Sequence, residues 1–145
     1  MITQYQRSFL GVLSVKRKLL LIEDEEDLAV AIQFYLQRFG YIVHHSTTGF
    51  EGLSLLCNQC WDGVLIDWKL RDISGIDILQ KAKDIDPAII FMMTPREDPR
   101  EREKVVTSEA NIYIFKSFSL DLLRTQLDSV FSAVDTNPSL TLSDS

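Results

Sequence analysis

Short apolar runs, rich in branched or aromatic residues, recur along the chain at Leu19–Ile22, Tyr41–His45, Gly63–Ile66, Ala88–Met93 and Ile112–Phe115. Helix-length segments separate them, and this alternation predicts parallel strands buried on both faces. The first intervening segment carries Leu28, Ile32, Tyr35, Leu36 and Phe39 at helical spacing, with Gly40 placed to close it. In the second, Thr47 or Thr48 is set to cap a helix bearing Phe50, Leu53, Leu55 and Leu56 that stops before Trp61. The third follows a loop with Arg71, Asp72 and Ser74-Gly75, carries Ile76, Leu79 and Ala82, and turns at Asp86-Pro87. A fourth helix is predicted from Asp98, with Asp98 as cap, Pro99 first and Glu101 three positions on. Only Val105 and Val106 offer it a core face, so it is expected to be loosely held. The last helix has Leu120, Leu123, Leu127, Val130, Phe131 and Val134 on one stripe. Five β/α units in succession imply an α/β fold with a doubly wound, open parallel sheet.

Length adds a bound to this picture: 145 residues make one domain, expected over residues 16–134. Residues 1–15 read as an extension, and residues 135–145, rich in Ser, Thr and Asp, as a disordered tail. The apolar stretch Ser8–Val15 is far shorter than a membrane span and has no small-residue cleavage site after it, so neither a membrane anchor nor a signal peptide is expected. A net charge of −6 argues against a nucleic-acid surface, which needs clustered Lys and Arg. Cys57 and Cys60 are spaced like a redox pair or half a zinc site, but nothing completes either, so two reduced thiols in a cytoplasmic chain are expected.

The residues that end the strands carry the chemistry. In an open parallel sheet every strand points the same way, so the terminators share the edge where such folds place ligands. They are Glu23 and Asp24, then Asp67, Thr94 and Lys116. Singly, each has an ordinary explanation: acid at a helix start, a turn aspartate, a strand-end hydroxyl, a solvated lysine. Jointly, three carboxylates would repel one another and raise each other's pKa unless a cation sat among them. Oxygen-only ligands suit Mg²⁺, which prefers octahedral geometry and phosphate oxygens in its shell. With Thr94 as a hydroxyl donor and Lys116 as a positive charge, the set matches the needs of phosphoryl transfer onto Asp67.

The stretches I-E-D-E-E-D-L from Ile22, V-L-I-D-W-K-L from Val64 with Ser74-Gly75, M-T-P-R from Met93 and Y-I-F-K from Tyr113 resemble the receiver (CheY-like) domain of two-component response regulators. The resemblance covers about Lys16 to Phe131 and implies the flavodoxin-like strand order 2-1-3-4-5. It also implies that Asp67 accepts a phosphoryl group from a sensor histidine kinase or histidine phosphotransfer protein. Asp24 is then a direct Mg²⁺ ligand, Glu23 a water-mediated one, and the backbone carbonyl of Lys69 a further one. Lys116 pairs with the phosphoryl group, Thr94 moves to hydrogen-bond it, and Tyr113 turns into the vacated space. This sequence departs from the family at Ser117, where the family has Pro, at Pro95, where it has a small residue, and in the cations Lys69 and Arg96 at the mouth of the site.

The leading expectation is a stand-alone signalling switch, not an enzyme, whose output is binding to another protein, with a homodimer through the last two β/α units as one form. The second is an interaction module that works without phosphorylation. A hydrolase lacks a second acid or base, since His44 and His45 are expected at a partly exposed strand end away from the site.

Overall fold

The structure is a computed structural model that describes residues 16–85, 89–94, 112–115 and 119–136. Five strands form one sheet: β1 (Lys18–Ile22), β2 (Ile42–Ser46), β3 (Gly63–Asp67), β4 (Ile89–Thr94) and β5 (Ile112–Phe115). Their order is β2-β1-β3-β4-β5 and every pair is parallel, as the resemblance implied. The described helices are α1 (Glu26–Arg38), α2 (Gly49–Asn58), α3 (Gly75–Ile85) and α4 (Leu120–Thr136). The helix expected from Asp98 lies outside the described residues, as does the extension 1–15.

The central strands are apolar on both faces because both faces are covered. Leu19, Leu21, Leu65, Phe91 and Met93 pack with α1 and α4, while Leu20, Ile22, Val64, Ile66 and Met92 pack with α2 and α3. Each such fully buried side chain contributes about 1.5–3 kcal/mol of hydrophobic stabilisation. Parallel register then aligns the strand ends: Ile22 lies beside Ile66, and Asp67 beside Met93. A polar residue following any of these positions must emerge at the same edge.

Several expectations needed correction. Phe39, expected on the apolar face of α1, is 47% exposed, and Phe50 of α2 is 61% exposed. Phe39 is the residue after the last turn of α1, off the helical stripe, and its ring lies under the Arg124 guanidinium at 4.3 Å. On α2, it is Gly49 and Gly52 that face inward. A Cβ at Gly52 would strike Ile22, so the helix approaches β1 by its glycines and turns Phe50 outward. Ile78, not singled out above, is fully buried on α3. Asp135 and Thr136, expected in the tail, instead complete α4, and Asp135 accepts a hydrogen bond from Arg17; residues 137–145 lie outside the described residues.

Other local expectations hold. Gly40 takes φ 95°, the left-handed conformation that ends α1. Of the two candidate caps, Thr48 is the one used, its hydroxyl accepting from the Glu51 amide at 3.1 Å. Cys57 and Cys60 are free and exposed.

Candidate functional site

Glu23 and Asp24 follow β1 directly, and Asp67 is the last residue of the neighbouring β3. Each of the three offers a carboxylate oxygen, and these oxygens all lie within 4.8 Å of one another. Glu23 and Asp67 are buried, and Asp24 is half-buried. Like charges so close in a poorly solvated position cost free energy that a cation would recover. The donor set is all oxygen, it opens on one side through Asp24, and it fits a small hard divalent ion. Thr94, also buried, ends β4 one residue past Met93, the partner of Asp67 in the sheet.

The backbone around these groups is fixed by hydrogen bonds. The Glu23 amide donates to the Ser46 carbonyl at 3.1 Å, and the Glu23 carboxylate accepts from the Glu25 amide at 3.1 Å, where α1 begins. The Trp68 amide donates to the Met93 carbonyl at 2.8 Å, carrying the β3–β4 pairing past Asp67. The Lys69 amide points at Asp67 Oδ1, at 3.3 Å. Gly75 begins α3 against the Asp67 carbonyl; a Cβ there would meet that oxygen and Trp68 Cα well inside van der Waals contact. The glycine of the Ser74-Gly75 pair is therefore required by close approach of α3 to the strand end.

The loop between β3 and α3 carries contacts that sequence reasoning did not find. Asp72 accepts from the amides of Gly49 and Phe50, both at 2.9 Å. With Thr48 accepting from Glu51 through its hydroxyl and from Gly52 through its carbonyl, the first four amides of α2 are all satisfied. Burial pushes the Asp72 pKa up, but the amide donors outweigh it and hold the carboxyl below its ordinary range. Arg71 approaches Asp24 twice: its amide donates to Oδ2 at 3.0 Å, and its Nε lies 3.7 Å from the same oxygen. The only sequence signal for either contact was a charged residue within a short loop after Asp67.

The histidines separate in the same way. His44 is exposed, its ring 5.9 Å from that of Trp61. His45, expected away from the site, instead places Nε2 2.9 Å from the Glu23 carbonyl oxygen. It pairs with Leu21 across the β1–β2 ladder, so its side chain reaches the end of β1. Of the remaining predicted site residues, Tyr113 lies in β5 opposite Met92, with its side chain outside the described residues. Lys116, Pro95, Arg96 and Ser117 also lie outside them.

Comparison with known proteins agrees with this geometry. The family model for the response regulator receiver domain matches residues 19–128. Response regulator SaeR of Staphylococcus epidermidis is 34% identical over 102 residues, covering 70% of this chain and 44% of that protein. Transcriptional regulatory protein QseB of Haemophilus influenzae is 28% identical over 114 residues, covering 78% and 52%. The chain thus spans about half the length of these curated relatives. Among solved structures, the signal receiver domain of a putative LuxO repressor protein from Vibrio parahaemolyticus superimposes with a TM-score of 0.75 at 22% identity, covering 87% of this chain and 98% of that one. With a parallel sheet in the order β2-β1-β3-β4-β5 and a family match over most of its length, this chain belongs to the response regulator receiver domains of two-component signalling.

Proposed function

We propose that the domain is a Mg²⁺-dependent phosphoryl acceptor that takes its phosphoryl group on Asp67 from a phosphohistidine of a sensor kinase or phosphotransfer protein, and switches a protein-binding surface. The observation that carries this reading is the convergence of Glu23, Asp24 and Asp67 within 4.8 Å at the edge where Thr94 also ends its strand. An Asp67 carboxylate oxygen forms the new bond to phosphorus as the P–N bond of phosphohistidine breaks, and the departing imidazole keeps the electron pair. Asp24 and Asp67 would hold the ion directly, Glu23 through water, and the Lys69 carbonyl as a further ligand. When bound, Mg²⁺ supplies charge neutralisation for the phosphoryl oxygens.

Thr94 and Lys116 are the proposed donors to the transferred group, and Tyr113 the side chain that follows Thr94. The relay is a local charge change read out by a packed aromatic group. The module acts as a signalling partner in the cytoplasm and not as a turnover enzyme. Among the described residues no helix is long and apolar enough to cross a membrane.

Intact-mass measurement after incubation with MgCl₂ and acetyl phosphate tests this, with Asp67→Asn alongside. One phosphoryl adduct on the natural chain, absent from Asp67→Asn and lost on chelation of Mg²⁺, is expected. A folded, Mg²⁺-loaded protein that takes no phosphoryl group would replace this reading with that of a phosphorylation-independent interaction module.

A further inference from the structure

Arg71 is placed where a cation would compete with the proposed Mg²⁺. Its Nε stands 3.7 Å from Asp24 Oδ2, the oxygen that its own amide also contacts at 3.0 Å. The side chain is 87% exposed, so it is free to swing away, yet its backbone is not free. On one side the amide is fastened to Asp24, and on the other Asp72 is fastened to the first amides of α2. Ile73 lies against Gly49, where even a methyl group would strike its side chain. A loop held at both ends keeps the guanidinium tethered at the open side of a cluster whose other members are buried.

We infer that Arg71 is a built-in counter-ion of the acidic cluster, which partly neutralises Asp24 in the metal-free domain and lowers the affinity for the incoming divalent ion. This inference rests on the Mg²⁺ reading above. Arg71 stabilises the metal-free fold by attraction to Asp24 and disfavours the loaded fold by repelling a second cation beside the same oxygen. An exposed pair of this kind is modest and salt-screened.

Calorimetric titration with MgCl₂, followed in parallel by Trp68 fluorescence, is the test, applied to the natural chain, Arg71→Ala and Arg71→Lys. At low ionic strength Arg71→Ala is expected to bind Mg²⁺ about two- to five-fold more tightly, an advantage that shrinks as KCl is added. Arg71→Lys keeps the charge and should behave like the natural chain. Thermal melts supply the control: Arg71→Ala should lose stability in chelator and lose less, or nothing, in saturating MgCl₂. A purely structural role predicts equal losses in both and no gain in affinity. Unchanged or weaker Mg²⁺ binding by Arg71→Ala, or tighter binding by Arg71→Lys as well, would overturn the inference while leaving the metal site standing. No Mg²⁺ response in the natural chain would remove both.

Discussion

Charged groups are arranged in opposite ways in two parts of this domain. At the carboxyl edge of the sheet, Glu23, Asp24 and Asp67 bring like charges within 4.8 Å. Along the seam between α1 and α4, opposite charges and neutral donors alternate instead. Tyr35 donates to Asp121, and Arg124 bonds Asp128 at 3.0 Å while stacking on Phe39. Tyr41 donates to Asp128 at 2.5 Å, and Arg17 to Asp135. The seam fastens helices to one another and to the start of the sheet. The edge holds like charges whose repulsion Arg71, beside Asp24, relieves only in part. Cross-links between elements and the clustering of like charges are therefore located in different parts of one small fold.

The largest effect on this division should come from Gly75→Ala. The added methyl would meet backbone, not a movable side chain, and α3 would have to shift from the Asp67 carbonyl. A stability loss of about 2–3 kcal/mol is expected from overpacking. Mg²⁺ binding should weaken too, because the displaced backbone carries Asp67 of the acidic cluster, and denaturation with and without MgCl₂ measures both. If stability falls and Mg²⁺ affinity does not, the edge is less dependent on α3 than the packing implies.

Tyr41→Phe should cost less, about 1–1.5 kcal/mol for a hydrogen bond to a carboxylate lost from a largely buried position, and should leave Mg²⁺ binding unchanged. It also carries a pH signature. Burial first, and then the hydrogen bond to Asp128, push the Tyr41 phenol well above its ordinary value of 10.0. The folded protein thus holds this proton more tightly than the unfolded chain. That contribution is fully present below about pH 10 and is lost as pH rises beyond it. Urea unfolding across the alkaline range should show a shallower loss in Tyr41→Phe than in the natural protein.

The smallest effect is expected at Asp72→Ala, which removes an exposed carboxylate from the start of α2. A cost of about 0.5–1 kcal/mol follows from losing a capping acceptor. Its pKa is depressed, so the contribution is present at neutral pH and lost as pH falls through and below the usual carboxylate range. The acid limb of the stability curve should flatten in the variant. Since this carboxylate also anchors the loop that carries Arg71, the Arg71→Ala gain in Mg²⁺ affinity should diminish in the Asp72→Ala background.

The order of the elements and the terminators of the strands were legible in the sequence for one physical reason. Parallel strands buried on both faces write themselves as apolar runs, and the next polar residue is where each strand must emerge. That logic located Glu23, Asp24, Asp67 and Thr94 at one edge without any distance being known. The Gly40 terminus and a threonine cap for α2 were readable as well, because they depend on neighbours a few residues away.

What the tertiary structure alone decided depends on partners remote in sequence. Arg71 meets Asp24 across 47 positions, Asp72 meets Gly49 across 23, and Tyr41 meets Asp128 across 87. Periodicity put Phe39 on the apolar face of α1, yet the end of that helix left it against Arg124, and close approach of the Gly49 and Gly52 face turned Phe50 outward on α2. His45 seemed remote from the site until the β1–β2 register brought it to the Glu23 carbonyl. A side chain's period along its own element says which way it faces. Which charge it finds there is set by the packing of elements that the local pattern does not encode.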